Sequence, residues 1–174
     1  MTSLLGRALL GAAFAMAASG AIAQESTNQV AVKTDWSVFT EESPKECWGV
    51  SKPKETVNTR DGQVVQARRG DILMFVTFRP GAGANGEVSF TGGYPFAPGS
   101  TVDLEIDGIT YALITDGEWA WPSSPSEDGP ILAALKKGTT AIATGRSARG
   151  TVTKDTFSLR GFTAAMTEAE ARCK

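Results

Sequence analysis

The chain has 174 residues, with 17 basic side chains against 19 acidic ones and no histidine. The near balance of charge excludes a broad basic face organised around nucleic acid. The missing histidine excludes Ser–His and Cys–His nucleophile activation and every histidine-ligated metal site.

The first 23 residues have the layout of a secretory signal peptide. MTSLLGR carries one charge, Arg7; ALLGAAFAMAA is a short apolar stretch; Ala21-Ile22-Ala23 offers small residues to signal peptidase, with cleavage expected before Gln24. The stretch is too short and too rich in alanine for a membrane span. The remainder, 24–174, is 151 residues with 16 basic and 19 acidic side chains, the size of a single domain. Its two cysteines, Cys47 and Cys173, stand near its two ends. An isolated pair in an exported chain is expected to form a disulfide, which removes thiolate chemistry as well.

In chain order, residues 24–34 are polar and read as loose. DWSVF (35–39) sets Trp36 and Val38 on one face of a strand, and CWGVSK (47–52) returns as a second. Residues 53–66, with Pro53 and Asp61-Gly62, read as a loop or a further hairpin. DILMFVTFR (71–79) is an apolar run suited to a buried strand. GAGANG (81–86) then matches the dinucleotide-binding pattern G-x-G-x-x-G letter for letter. That motif must open a helix whose N–H groups hold a pyrophosphate. Here EVSFT comes next, with Val88 and Phe90 alternating against Glu87, Ser89 and Thr91, so the glycines are expected to turn a β-hairpin.

GGYPFAPGS (92–100) is a Gly/Pro-rich connection. In TVDLEIDGITYALI, the Asp107-Gly108 turn predicts Ile106 opposite Ile109, Leu104 opposite Tyr111 and Val102 opposite Leu113. TDGEWAWP (115–122) adds a turn and a strand carrying Trp119 and Trp121. A short helix is predicted over ILAALKK (131–137), capped by Asp128 or Ser126 and stopped by Gly138. TTAIATGRSARGTV (139–152) and TFSLRGF (156–162) read as paired strands. The last segment is a helix with Phe162, Met166, Ala169 and Cys173 on one face. Many short strands with one internal and one terminal helix predict a mainly β chain, a β-sandwich.

Several of these segments carry a family likeness. Asp35-Trp36, Cys47, VTFRPGAG (76–83), GGYPFAPGS, TDGEWAW and above all SARGTVTKDTFSLRGFTAAM (147–166) with the near-terminal Cys173 resemble the invasion associated locus B (IalB) family of exported alphaproteobacterial proteins. The resemblance covers roughly 33–173. It implies an immunoglobulin-like sandwich in the periplasm or at the outer membrane and, in some pathogens, a link to host-cell entry. It brings no catalytic residue.

Four constellations could carry chemistry. Ser51-Lys52-Pro53-Lys54 fits S-x-x-K, but that pair needs a helix and Pro53 favours extended chain. Asp103, Glu105 and Asp107 share a strand face and could gather a cation; a solvated outer face is expected instead. Arg146, Arg149 and Arg160 could form a cationic patch, with a dispersed surface the simpler expectation. Trp119 and Trp121 share a face: exposed, they could contact a ligand or partner; a core position is the favoured expectation. No catalytic, metal or cofactor site emerges. The reading is an exported, non-catalytic envelope or surface interaction protein, contributing to host-cell interaction, with an unknown protein or glycan partner and no transmembrane span in the mature chain. The alternative is a periplasmic binding module for a glycan or another small ligand; a carboxylate-based hydrolase is a third class.

Overall fold

The computed structural model describes residues 28–174. The expected signal peptide, 1–23, and its cleavage before Gln24 lie outside the described residues.

Among the described residues twelve strands form one antiparallel sheet. In chain order they are β1 (Gln29–Lys33), β2 (Trp36–Glu42), β3 (Lys45–Ser51), β4 (Glu55–Arg60), β5 (Gln63–Val64), β6 (Leu73–Arg79), β7 (Ala84–Thr91), β8 (Thr101–Ile106), β9 (Ile109–Asp116), β10 (Trp119–Pro122), β11 (Thr140–Arg146) and β12 (Val152–Ser158). Helix α1 (Pro125–Lys137) precedes β11 and helix α2 (Phe162–Arg172) closes the chain. The spatial order is β1-β2-β3-β6-β7-β10-β9-β8-β11-β12-β4-β5.

The sheet folds over, so its two halves face each other as a β-sandwich. Phe90 on β7 meets Phe157 on β12 edge to face at 6.1 Å between centroids. The indole Nε1 of Trp36 on β2 donates to the carbonyl of Ser158, at the end of β12, at 3.0 Å. The expected β-sandwich with one internal and one C-terminal helix is therefore the fold. Trp36, Met74, Phe90, Leu104, Leu113, Phe157, Phe162 and Met166 are fully buried in one continuous core.

The local turn chemistry holds. Asp107 (φ 45°) and Gly108 (φ 89°) both adopt positive φ, as a type I′ turn requires. The register is the expected one: Ile106 pairs Ile109, Leu104 pairs Tyr111 and Val102 pairs Leu113. GAGANG joins β6 to β7 through one short 3₁₀ turn, Pro80–Ala82, with strands on both sides. No helix N-terminus stands behind these glycines. Of the two forms open to residues 53–66, the hairpin is the one adopted: β4 and β5 pair around Asp61-Gly62. On α2, Phe162, Met166 and Ala169 are buried with Cys173, which closes a disulfide onto Cys47 of β3.

Three expectations need correction. Residues 29–33 are not loose: they form β1, an edge strand held by β2, with Val30 and Val32 at strand spacing. Helix α1 starts six residues earlier than expected, at Pro125 after an extended Ser124. Proline suits the first turn, where an N–H has no intrahelical partner. Asp128 is then inside the helix, where its carboxylate accepts the N–H of Val88 at 2.8 Å. Finally, β11 and β12 are separated by a turn at 147–151, where Gly150 sits at φ 82° and the Thr151 N–H donates to Ser147 Oγ at 3.1 Å. The second strand therefore begins at Val152 and ends at Ser158, ahead of helix α2.

Candidate functional site

Antiparallel sheets commonly solvate one face and cover the other. Along β2, β3 and β6 the inward set is Trp36 and Val38, Cys47 and Gly49, and Met74, Val76 and Phe78. The outward set carries apolar side chains as well, Phe39, Trp48, Val50, Leu73 and Phe75, all half-buried, interspersed with Ser37, Glu46 and Thr77. These side chains meet across the ladder. Phe39 and Trp48 are direct register partners, and their rings stack at 5.6 Å with 8° between planes. Val50 stands opposite Phe75. Phe75 reaches on to Trp119 of β10, 5.7 Å between ring centroids. Aromatic cross-strand pairs of this kind stabilise the sheet.

A groove of about 570 Å³ lies against this row, lined by Phe39, Trp48, Val50, Leu73 and Phe75. Polar groups rim it: Asp35, Lys52, Lys54 and Asp71 also line the groove. Asp35 is paired with Lys54, Nζ to Oδ1 at 2.5 Å. The hydrogen bonds from Lys54 and Ser158 hold the Asp35 carboxyl below its usual value, so it is a fixed anion at neutral pH. A groove with an apolar wall and a few oriented polar groups is the general form of a ligand-binding site.

The tryptophan pair does not occupy the core. Trp119 is 42% exposed and Trp121 half-buried, while Ala120 and Pro122 point inward. The core expectation for the pair is thus reversed. In β10 the small residue and the proline face the interior, and the large rings take the other side of the pleat. Ser51 is a strand-end residue whose Oγ donates to the carbonyl of Asp35 at 2.7 Å; Lys52 is exposed and Lys54 belongs to Asp35, so no serine–lysine pair is assembled. Asp103, Glu105 and Asp107 are exposed. Asp107 turns to Thr139, accepting its N–H at 3.0 Å and its hydroxyl at 3.1 Å. Among the described residues no group of three or more carboxylate, cysteine or histidine side chains could hold a metal ion. Arg146, Arg149 and Arg160 are all exposed.

Sequence reasoning missed Phe39, Trp48 and Phe75. Their signal is present: CWGV and LMFVTF are apolar at consecutive positions, which in an antiparallel ladder makes both faces apolar. Only the tertiary packing shows that helix α2 covers the inner face of β2 and β3, through the Trp36–Phe162 contact at 4.8 Å, while the outer face keeps its groove.

A disulfide-closed β-sandwich with an aromatic outer groove defines the class: a β-rich, disulfide-bridged sandwich protein. The invasion associated locus B (IalB) protein family matches residues 36–170, and the chain belongs to that family. In fold it is similar to the crystal structure of invasion associated protein B from Bartonella henselae, at a TM-score of 0.54 and 19% identity, covering 81% of this chain and 95% of that one. No curated protein sequence matches the chain.

Proposed function

We propose that this protein is an exported, non-catalytic interaction protein of the cell envelope or surface, and that its partner contacts the groove of Phe39, Trp48 and Phe75 together with Trp119, which packs on Phe75 beside it. The observation that carries the reading is the pair of aromatic contacts, Phe39–Trp48 and Phe75–Trp119, on the outer sheet face beside the 570 Å³ groove. Family membership supports it, as does the disulfide, which belongs to oxidising compartments. The apolar N-terminal segment supports export. By analogy with the family's name, the contact would contribute to host-cell interaction in an invasive organism. Photo-cross-linking tests the surface. A photoreactive residue at position 39 or 119 should give a discrete adduct in intact cells, and one at Ile109, exposed on the β8–β9 hairpin, should not. Adducts equally frequent at all three positions would remove the groove from the interaction.

One observation favours a glycan as the occupant. The nearly parallel Phe39 and Trp48 rings stand beside Asp35, Lys54 and Asp71, which suits the apolar face of a sugar ring and its hydroxyls. Titration of the protein with soluble envelope oligosaccharides, followed by tryptophan emission, separates the readings. Saturable quenching lost in Trp48→Ala selects the glycan; cross-linked polypeptide without quenching selects a protein.

A further inference from the structure

A second cavity shares no residue with the aromatic groove. Its volume is about 430 Å³, and Arg60, Arg68, Arg69, Tyr94, Arg149 and Thr151 are among its lining residues. It lies where three distant segments converge: the stretch after β5, the connection before β8, and the β11–β12 turn.

Arg69 is the spent member of this group. Its Nε donates to the Gly92 carbonyl at 2.9 Å, Nη1 to Asn58 Oδ1 at 3.3 Å and to Asp155 Oδ1 at 2.7 Å, and Nη2 to Asp155 Oδ2 at 2.5 Å. Its charge is neutralised by Asp155, and its guanidinium sits over the Tyr94 ring at 5.0 Å. It thereby anchors the segment that carries Arg68. A second anchor is the Gly70 N–H bond to the Gly93 carbonyl at 2.8 Å; the two backbones approach so closely that a side chain at Gly93 would overlap Gly70. The cavity wall is preorganised by these contacts.

The other three arginines are not spent. Arg60 uses one donor, Nη2 on Thr151 Oγ1 at 2.7 Å, which ties it to the turn bearing Arg149. Among the described residues Arg69, Arg79 and Arg172 are ion-paired, whereas Arg60, Arg68, Arg146, Arg149 and Arg160 make no ion pair. Three of those five line this one cavity, against a single lining carboxylate, Glu118. That concentration occurs in a chain whose formal net charge is −2. Guanidinium forks match the oxygen geometry of phosphate and remain charged at every physiological pH.

We infer that this cavity is a binding site for a phosphate-monoester group, held by Arg60, Arg68 and Arg149. The dianion neutralises the surplus charge, its terminal oxygens take donors from separate segments, and the remaining volume accepts the sugar-sized or lipid body attached to it.

The test uses three probes in low salt: inorganic phosphate, glucose 6-phosphate, and phosphatidylcholine vesicles carrying phosphatidic acid. Calorimetry or vesicle flotation should show saturable binding of at least one phosphomonoester probe. Arg68→Ser with Arg149→Ser should weaken it at least tenfold, with the circular dichroism spectrum unchanged. Arg146→Ser with Arg160→Ser removes the same charge outside the cavity and should leave binding intact. Binding of glucose 6-phosphate identifies a soluble ligand and binding of vesicles alone a lipid headgroup; either supports the site. No saturable binding by any probe overturns it. Equal weakening in both double variants also overturns it, because the effect would then belong to net charge.

Discussion

Arg69 and Asp155 form a two-pronged ion pair with almost no solvent contact: their side chains are 6% and 0% exposed, and both carboxylate oxygens accept from the guanidinium, at 2.7 and 2.5 Å. The pair joins the segment after β5 to the middle of β12, 86 residues apart. Removing one partner strands a buried charge. Asp155→Ala should cost about 3–5 kcal/mol, whereas Arg69→Met with Asp155→Leu should cost clearly less, because no uncompensated ion remains. Urea unfolding of the three proteins checks the order. A double variant less stable than Asp155→Ala would contradict this account.

The glycines of the GAGANG segment should not be equivalent. Gly83 has φ 72° with open space around a would-be side chain, so Gly83→Ala should cost only the left-handed backbone term, about 1–2 kcal/mol. Gly86 has φ 97° and a Cβ there would meet Leu132 Cδ2 at 2.7 Å, adding overpacking. Gly161 has φ 87° and a Cβ would overlap the backbone carbonyl of Lys33, which cannot move aside. The expected order of destabilisation is Gly83→Ala, then Gly86→Ala, then Gly161→Ala, read from thermal midpoints.

The Cys47–Cys173 bridge spans a sequence separation of 126 and ties β3 to the end of α2. In the chain-entropy treatment a loop of that length stabilises by about 4–5 kcal/mol. The Cys47→Ala, Cys173→Ala protein should unfold at correspondingly lower urea, and reductant should shift the native protein the same way. If reductant leaves the midpoint where it was, the bridge does not constrain the unfolded chain.

Asp107 should make stability acid-sensitive through its charge alone. The N–H of Thr139 first, then its hydroxyl and the N–H of Thr140, hold its carboxyl below the ordinary value of 3.8. A lowered folded-state pKa means stability that is present above 3.8 and lost as pH falls through the folded value. Asp107→Asn keeps an acceptor oxygen and tolerates the positive φ of the turn. The urea midpoint of the native protein should exceed that of Asp107→Asn by a constant amount at neutral pH. The gap should close below the ordinary carboxylate range. A gap that persists into strong acid would show that the charge is not its source.

Two tryptophans should separate core from surface. Trp36 is fully buried, packs edge to face on Phe162 and donates to Ser158, so Trp36→Ala should cost about 3–5 kcal/mol. Trp119 is 42% exposed, and Trp119→Ala should cost about 1 kcal/mol or less while removing part of the proposed contact surface. Comparable losses at both positions would place Trp119 in the core after all.

Local relations were legible in the residues themselves. Asp107-Gly108 determined a turn type and, with alternation on β8, the register of the β8–β9 pair, because positive φ and a two-residue side-chain period are properties of the chain segment alone. The same alternation in EVSF showed that GAGANG leads into a strand. Spacing on the last helix put Cys173 on its packing side, and the exported context joined it to Cys47. Sidedness was not legible. A run such as LMFVTF is apolar on both faces, and TDGEWAWP does not say whether Trp119 or Ala120 points inward; the pleat offers both, and burial is decided by what lies opposite. The aromatic groove exists because α2 covers the inner side of β2 and β3. The arginine cavity exists because β4 pairs with β12, which brings Arg60 to Thr151 across 91 residues. Such convergence depends on strand order, and strand order is set by packing of the whole core, which no window of sequence contains.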